Sequence, residues 1–269
     1  MLTTPDPDQT HEFGRGVDFG KTSTDYAKYR KGFPETFFER LAEYGVGAPG
    51  QRILDLGTGT GTIARALAQR GADVVALDPA VAQLDAARGL DTAAGVSVEY
   101  VVGAAEALPF DDAAFDIVTA GQCWHWFDRA AATAEVSRVL RAGGRVVIAH
   151  FDWIPLPGNV AHATEALILS YNPDWALSGG TGIHPVWFAD LGTGGFTQLE
   201  SFTFDVDVAY SHEAWRGRVR ASAGIKASLP ADAVERFDHE LDETLRARFP
   251  RDPLSVLHRV SAVFGTKSL

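Results

Sequence analysis

The sequence predicts an α/β protein built on a doubly wound, mostly parallel seven-stranded sheet, with one antiparallel strand near the C-terminus and helical lid insertions. Three observations predict it. Between residues 51 and 151, short Val-, Ile- and Leu-rich runs alternate with apolar residues spaced three or four apart, the pattern of buried strands joined by helices. A glycine-rich turn stands where the first run meets the first helical pattern. Further on, Phe196–Tyr210 alternates apolar and polar residues through Phe202, Phe204, Val206 and Val208, as an antiparallel strand with one covered face does.

The elements follow in order. Arg52–Leu56 is the first strand, and Thr60–Arg70 a helix with Ile63 and Leu67 on one face and Gly71 as its stop. Asp73–Leu77 is the second strand. Pro79 suits a first helical position and opens a helix to Arg88. Ser97–Val102 and Phe115–Ala120 are the third and fourth strands. Asp128 caps a helix running to about Leu140 and stopped by Gly143-Gly144, and Arg145–Phe151 is the fifth strand. Beyond it come a helix over Asn159–Tyr171, the alternating strand, an amphipathic helix within Leu229–Phe249 and a last strand over Ser255–Phe264. The amphipathic helix carries Val234, Phe237, Leu241, Leu245 and Phe249 on one stripe, readable as a lid's inner face or as a homodimer surface. At the other end, Thr22–Leu41 has helical spacing interrupted by Pro34. The expected organisation is a flexible arm over 1–20, a helical cap over 21–50, a ligand-binding core over 51–151, and the remaining core strands over 152–269 with lids at 152–190 and 211–250.

Composition narrows the function classes. A chain of 269 residues can bury one substantial core, or a core and a smaller lid, and 46% hydrophobic with 22% charged residues is an ordinary globular balance. The net charge of −11 and pI near 5.1 repel phosphate backbones and anionic lipid, so neither nucleic acid nor a membrane is an expected partner. With Cys123 as the single cysteine, no internal disulfide forms. The N-terminal MLTTPDPDQTHEFGRG lacks the basic start and apolar centre of a secretory signal, and no apolar stretch approaches the ~20 residues of a membrane span, so a cytoplasmic location is expected.

The central motif is Asp55-Leu56-Gly57-Thr58-Gly59-Thr60-Gly61. Glycines after a strand let the backbone bend tightly and admit a ligand against the main chain, where the amides of a helix start can meet it. A dinucleotide fingerprint needs Gly-x-Gly-x-x-Gly or Ala, and here its last position falls on Thr62. The spacing is Gly-x-Gly-x-Gly, with Asp55 two residues upstream, a carboxylate better suited to a cationic ligand than to a pyrophosphate. Asp78, ending the second strand, is placed to accept hydrogen bonds from ribose hydroxyls, a role common to both ligand types. A turn that merely packs a helix on a sheet is the alternative for this motif taken alone.

On these residues the chain resembles the class I S-adenosylmethionine-dependent methyltransferases, in the broad group with many small-molecule enzymes. ILDLGTGTG at Ile53–Gly61, VVALDPA at Val74–Ala80, GAAEALPF at Gly103–Phe110, FDIVTAGQCWHWFD at Phe115–Asp128 and VLRAGGRVVI at Val139–Ile148 stand in the family's order. A weaker likeness lies in Tyr26-Ala27-Lys28-Tyr29-Arg30. The resemblance implies S-adenosylmethionine as cofactor and S-adenosylhomocysteine as product. It implies that Asp55, Gly57, Thr58, Gly59 and Gly61 surround the methionine part, with Asp55 near its amino group. Asp78 would take the ribose, Pro79, Ala105 and Glu106 would lie near the adenine, and Gln122 would hold the cofactor through its backbone. Tyr26 and Arg30 would belong to a helix that closes over it. Two departures stand out. Ala104 occupies a position where many relatives carry an Asp that bonds the adenine amino group, leaving that contact absent or made by backbone or Glu106, and Ala142 replaces a frequent Pro in a turn.

Methyl transfer from a sulfonium is a direct displacement, so it needs alignment, worth on the order of 7–11 kcal/mol, more than it needs a nucleophilic side chain. A base adds about 10²–10⁴-fold where the acceptor carries a proton. His125, after the fourth strand, and His150, ending the fifth, fall at the carboxyl ends of the strands, where open parallel sheets bind ligands, and both are candidate bases. A structural hydrogen bond is the alternative for each. His184 is a further candidate, and Cys123 reads as a packed side chain. Trp124, Trp126, Asp152 and Trp153 are the candidate substrate contacts, with Trp175 and Trp187 from the same covering segments. Aromatic walls suit an apolar or aromatic metabolite. No metal ligand set is expected. The expected activity is methyl transfer to O or N, or to C of an electron-rich substrate. The alternatives are an NAD(P)-dependent oxidoreductase on a similar sheet and a non-catalytic S-adenosylmethionine-binding protein.

Overall fold

A computed structural model describes Tyr29 and residues 31–222, 224–225 and 228–268. The arm expected over 1–20, and with it Tyr26 and Arg30, lies outside the described residues. The elements run α1 (Glu35–Glu43), β1 (Arg52–Leu56), α2 (Thr62–Gln69), β2 (Asp73–Asp78), α3 (Val81–Ala94), β3 (Glu99–Val102), β4 (Phe115–Gly121), a 3₁₀ turn (Trp124–Trp126), α4 (Arg129–Val139), β5 (Leu140–Trp153), α5 (Val160–Tyr171), α6 (Val186–Thr193), β6 (Phe196–Tyr210), α7 (His212–Arg220), α8 (Ala231–Arg248) and β7 (Leu254–Lys267).

Seven strands form one sheet in the order β3-β2-β1-β4-β5-β7-β6. β1 pairs in parallel with β2 and β4, and the outer pairs β2–β3 and β4–β5 are parallel as well. β7 runs the other way: Thr203 Oγ1 on β6 donates to Val260 O and Thr197 Oγ1 to Thr266 O, so rising numbers on one strand meet falling numbers on the other. The chain leaves β1 toward β2 and β3, then returns to build β4 and β5 on the opposite side. The reversal puts the switch point at the carboxyl ends of β1 and β4, where such sheets leave a crevice for ligands.

Local chemistry explains most boundaries. Asp128 caps α4 as predicted, its carboxylate accepting the Ala130 and Ala131 amides at 3.2 and 3.1 Å. Asn159 and Ser211 do the same for α5 and α7. Three expectations shift. Pro79 does not open α3, because Ala80 is the cap and the helix begins at Val81. The helix from Asp128 ends at Val139, and Gly143-Gly144 falls inside β5, where the pairing jumps from Phe115↔Leu140 to Ile117↔Arg145. A side chain at Gly144 would stand 2.9 Å from the Asp116 and Arg141 carbonyls, so the glycines serve a close backbone approach in a bulge rather than a helix stop. Helix α6 lies in a Pro-, Gly- and Trp-rich stretch whose composition masks its helical period.

The described residues divide into two compact units. One comprises Lys31–Phe151, Gly182–Phe204 and the chain from Arg259 onward, and the other Tyr29, Asp152–Thr181 and Asp205–His258. In the first, Leu54, Leu56, Val75, Leu77, Val118, Ile148 and Trp187 belong to a continuous buried core. In the second, Phe237, Leu241 and Leu245 of α8 pack with Trp153, Trp215, Ile168 and Val256. Phe237, Leu241 and Leu245 of the α8 stripe are thereby buried within their own unit, and Val234 and Phe249 pack half-buried against the same core. No helix among the described residues is long and apolar enough to cross a membrane.

Candidate active site

The glycine turn leaves β1 and enters α2 with Gly57, Gly59 and Gly61 at φ of 54°, 55° and 74°. These are left-handed conformations that side chains resist. Space is as restrictive as conformation at the first of them: a Cβ on Gly57 would lie 2.7 Å from Cys123 Cβ and 2.9 Å from its Sγ. Cys123 is buried, its thiol donating to Leu56 O at 3.1 Å, so it acts as a packing partner of the turn.

Two carboxylates brace the bend. Asp78, at the end of β2, accepts the Gly59 amide on Oδ2 at 2.9 Å and the Ala80 amide on Oδ1 at 2.8 Å. Burial raises its pKa against these two bonds, yet each oxygen keeps a second lone pair for a hydroxyl donor. Asp55, in β1, is 2% exposed and accepts the Thr58 hydroxyl on Oδ2 and the Thr119 hydroxyl on Oδ1, both at 2.6 Å. Burial pushes its pKa up to about 6, opposed by the Thr119 and Thr58 hydroxyls and the Ala64 amide and reinforced by the negative Asp78. Among the described residues these partners include no cation, so Asp55 is a buried acid whose ionised form lacks a counter-charge. Thr119 is missing from the sequence-derived set. It faces Asp55 because the parallel β1–β4 register pairs the two residues, which no local motif reveals.

The remaining predicted cofactor residues spread around this bend. Val102 is the β3 register partner of Asp78. Val102 and Val81, the first residue of α3, are both 55% exposed, an apolar pair flanking Asp78 along with exposed Pro79. Ala105 is buried in the core. The Glu106 carboxylate accepts the Asp128 amide at 2.9 Å, which directs it toward the start of α4. Gln122 has a φ of 60° and donates its amide to Ala149 O at 2.8 Å, setting the segment after β4 against the first glycine.

The two predicted histidines meet. His150 Nε2 and His125 Nδ1 are 3.1 Å apart. His184 joins them, its ring centroid 4.5 Å from that of His150, while it stacks on Trp187 at 4.0 Å with planes 7° apart. Trp126 lies beside His125, with centroids 4.7 Å apart, and is half-buried. Trp124 has no exposed surface and donates its indole N–H to Asp190 at 3.1 Å, so it presents nothing to a ligand directly. Asp152 and Trp153 end β5 in the other unit. There Trp153 is a core residue, donating to Glu165 at 2.7 Å beneath the Arg218 guanidinium, and Asp152 is half-buried. Trp175 is buried in that same core, and Trp187 in the core of the first unit.

The segment that carries the glycine bend is similar to known proteins. Residues 54–148 match a family model described as a methyltransferase domain. An uncharacterized methyltransferase of Mycobacterium tuberculosis, Rv3342, is 41% identical over 130 residues, 48% of this chain and 50% of the relative. A Schizosaccharomyces pombe uncharacterized methyltransferase is 29% identical over 234 residues, 86% of this chain and 88% of the relative. The demethylmenaquinone methyltransferase of Thermus thermophilus is 45% identical over 104 residues, 38% and 47% of the two chains. The chain thus spans about half the length of the first curated relatives it matches. Among solved structures, YcgJ of Bacillus subtilis shares the fold with a TM-score of 0.59 at 21% identity, covering 88% of this chain and all of that one. The likeness to known methyltransferases thus centres on residues 54–148, the segment that matches the methyltransferase domain and holds the glycine bend, Asp55 and Asp78.

Proposed function

We propose that the protein transfers a methyl group from S-adenosylmethionine to an oxygen or nitrogen, or an electron-rich carbon, of a small apolar or aromatic metabolite. The observation that carries this reading is Asp55, a carboxylate buried behind a side-chain-free bend, with hydroxyl and amide partners and no cation among the described residues. A positively charged ligand on that bend supplies the counter-charge. The exposed Val81 and Val102 beside Asp78 offer an apolar seat for a nucleobase next to an acceptor for ribose hydroxyls. Asp55, Gly57, Thr58, Gly59, Gly61, Asp78, Pro79, Ala105, Glu106 and Gln122 are the residues of this chain that would hold the cofactor, with Tyr26 and Arg30 as the proposed closing contacts.

When bound, the cofactor supplies an electrophilic methyl carbon on a positively charged sulfur. The chain's own part is to orient the acceptor and take its proton. In the tautomer with the proton on His125 Nδ1, that proton is donated to His150 Nε2, and His125 Nε2 becomes the acceptor for an acidic O–H or N–H. His150 then fixes the orientation and tautomer of His125. Half-buried Trp126 forms the aromatic wall beside His125. Exposed Ile183 and Val186 on either side of His184 add apolar surface, which agrees with a quinone-class acceptor such as the Thermus thermophilus relative's name denotes. A non-covalent enzyme of this kind needs neither a nucleophilic cysteine nor a metal.

The test is incubation of the purified full-length chain with methyl-labelled S-adenosylmethionine and a panel of phenols, hydroquinones, amines and electron-rich aromatics. Label is expected in at least one phenolic or quinol acceptor, with His125→Gln lowering kcat about 10²–10⁴-fold while cofactor affinity holds. Cofactor binding with no transfer to any class would support a non-catalytic binding protein instead.

A further inference from the structure

Resting on the cofactor reading above, we propose that Arg65, Asp91 and Tyr100 are positioning residues that hold the glycine turn in its ligand-ready form. They come from three elements, α2, α3 and β3, and converge on one bend. The Asp91 carboxylate is 4% exposed, accepting Arg65 Nε at 2.6 Å on one oxygen and the Tyr100 hydroxyl at 2.8 Å on the other. Arg65 uses a further donor, Nη2, to reach Thr60 O at 2.7 Å, the carbonyl between Gly59 and Gly61, and it also approaches Ala87 O at 3.4 Å. The Tyr100 hydroxyl stands where a side chain on Gly61 would be, with Arg65 Nη2 and Ala87 Cβ at 3.2 and 3.3 Å from the same point.

A network that only packed α2 against α3 would stop at the Arg65–Asp91 pair. This one continues to the backbone of the bend itself, and its donors and acceptors are matched: one carboxylate, two oxygens, two donors, and a guanidinium that bridges acid and carbonyl. A lysine at 65 has a single ammonium and cannot reproduce the planar fork that reaches both. Removing the Tyr100 hydroxyl leaves an Asp91 oxygen buried without its donor and opens the space under Gly61, so Asp91 and Arg65 can turn away from Thr60. The turn then samples conformations that bind ligand poorly, and apparent affinity falls by the competent fraction. The chemical step, carried by other residues, is untouched once ligand is bound.

The experiment uses the full chain and two mild variants, Tyr100→Phe and Arg65→Lys. Calorimetric titration with S-adenosylhomocysteine is expected to show Kd raised about five- to tenfold in each, with kcat at saturating cofactor within about twofold of the parent. Hydrogen exchange of the ligand-free protein is expected to speed up at amides 57–62, with α4 unchanged. Unaltered Kd in both variants, or unaltered exchange at 57–62, overturns the assignment. If the parent chain binds no S-adenosylhomocysteine, the cofactor reading fails, and the exchange measurement still decides whether the three residues hold the turn.

Discussion

Asp55→Asn is expected to make the protein more stable at neutral pH. Asp55 is nearly sealed from solvent, and its pKa rises from an ordinary 3.8 to about 6, chiefly through burial. A raised carboxyl pKa means that the folded state binds the proton more tightly than the unfolded one. Between about pH 4 and 6 the folded chain therefore holds more protons, and stability falls as pH rises through that window, then levels off. At ~1.4 kcal/mol for each tenfold change in proton affinity, ionised Asp55 costs the folded state about 3 kcal/mol at pH 7.5. Asparagine is isosteric and uncharged, and the Thr58 and Thr119 hydroxyls can each reorient to an amide partner. Urea unfolding of both proteins at pH 4, 5, 6 and 7.5 isolates the effect, because other titrating groups are common to both and cancel. The variant is expected to gain up to about 3 kcal/mol at pH 7.5 and little near pH 4. A variant less stable than its parent at pH 7.5, or a difference independent of pH, refutes the reasoning.

The same acid sets a pH dependence of function. Affinity for a cationic cofactor is expected to weaken as pH falls through about 6 in the parent chain and to show no such step in Asp55→Asn, measured by calorimetry from pH 5 to 8. Gly57→Ala places a Cβ 2.7 Å from Cys123 Cβ at a φ of 54° and is expected to cost about 2–4 kcal/mol of stability in chemical unfolding, the sum of a left-handed penalty and local overpacking. Phe237→Ala, which truncates a side chain with no exposed surface in the second unit, is expected to cost about 3–5 kcal/mol by the same assay.

The legibility of the fold from sequence followed the range of the forces involved. Strands β1, β2, β4 and β6 could be read because alternation or continuous apolar runs mark each one locally, and α4 because Asp128 announces its cap. The β5 bulge could not be read, since Gly143-Gly144 looks like a helix stop until its contact with the Asp116 carbonyl is known. Site residues divide in the same way. Asp55, the three glycines and Asp78 sit in contiguous motifs. Thr119 and the Arg65–Asp91–Tyr100 set depend on register and on packing between elements distant in sequence, where no motif gathers them. The tryptophans show the limit of residue type as a guide: Trp124, Trp153, Trp175 and Trp187 are core, and half-buried Trp126 stands at the histidines.

Calorimetric titration of the full chain with S-adenosylhomocysteine, run beside NAD and repeated on Asp78→Ala, tests the cofactor assignment most directly. Saturable one-to-one binding of S-adenosylhomocysteine, no heat from NAD, and affinity lowered by about 1–2 kcal/mol in the variant are expected, the scale of lost charge-assisted hydrogen bonds. Binding of NAD in preference, or equal affinity for S-adenosylhomocysteine in parent and variant, would contradict it.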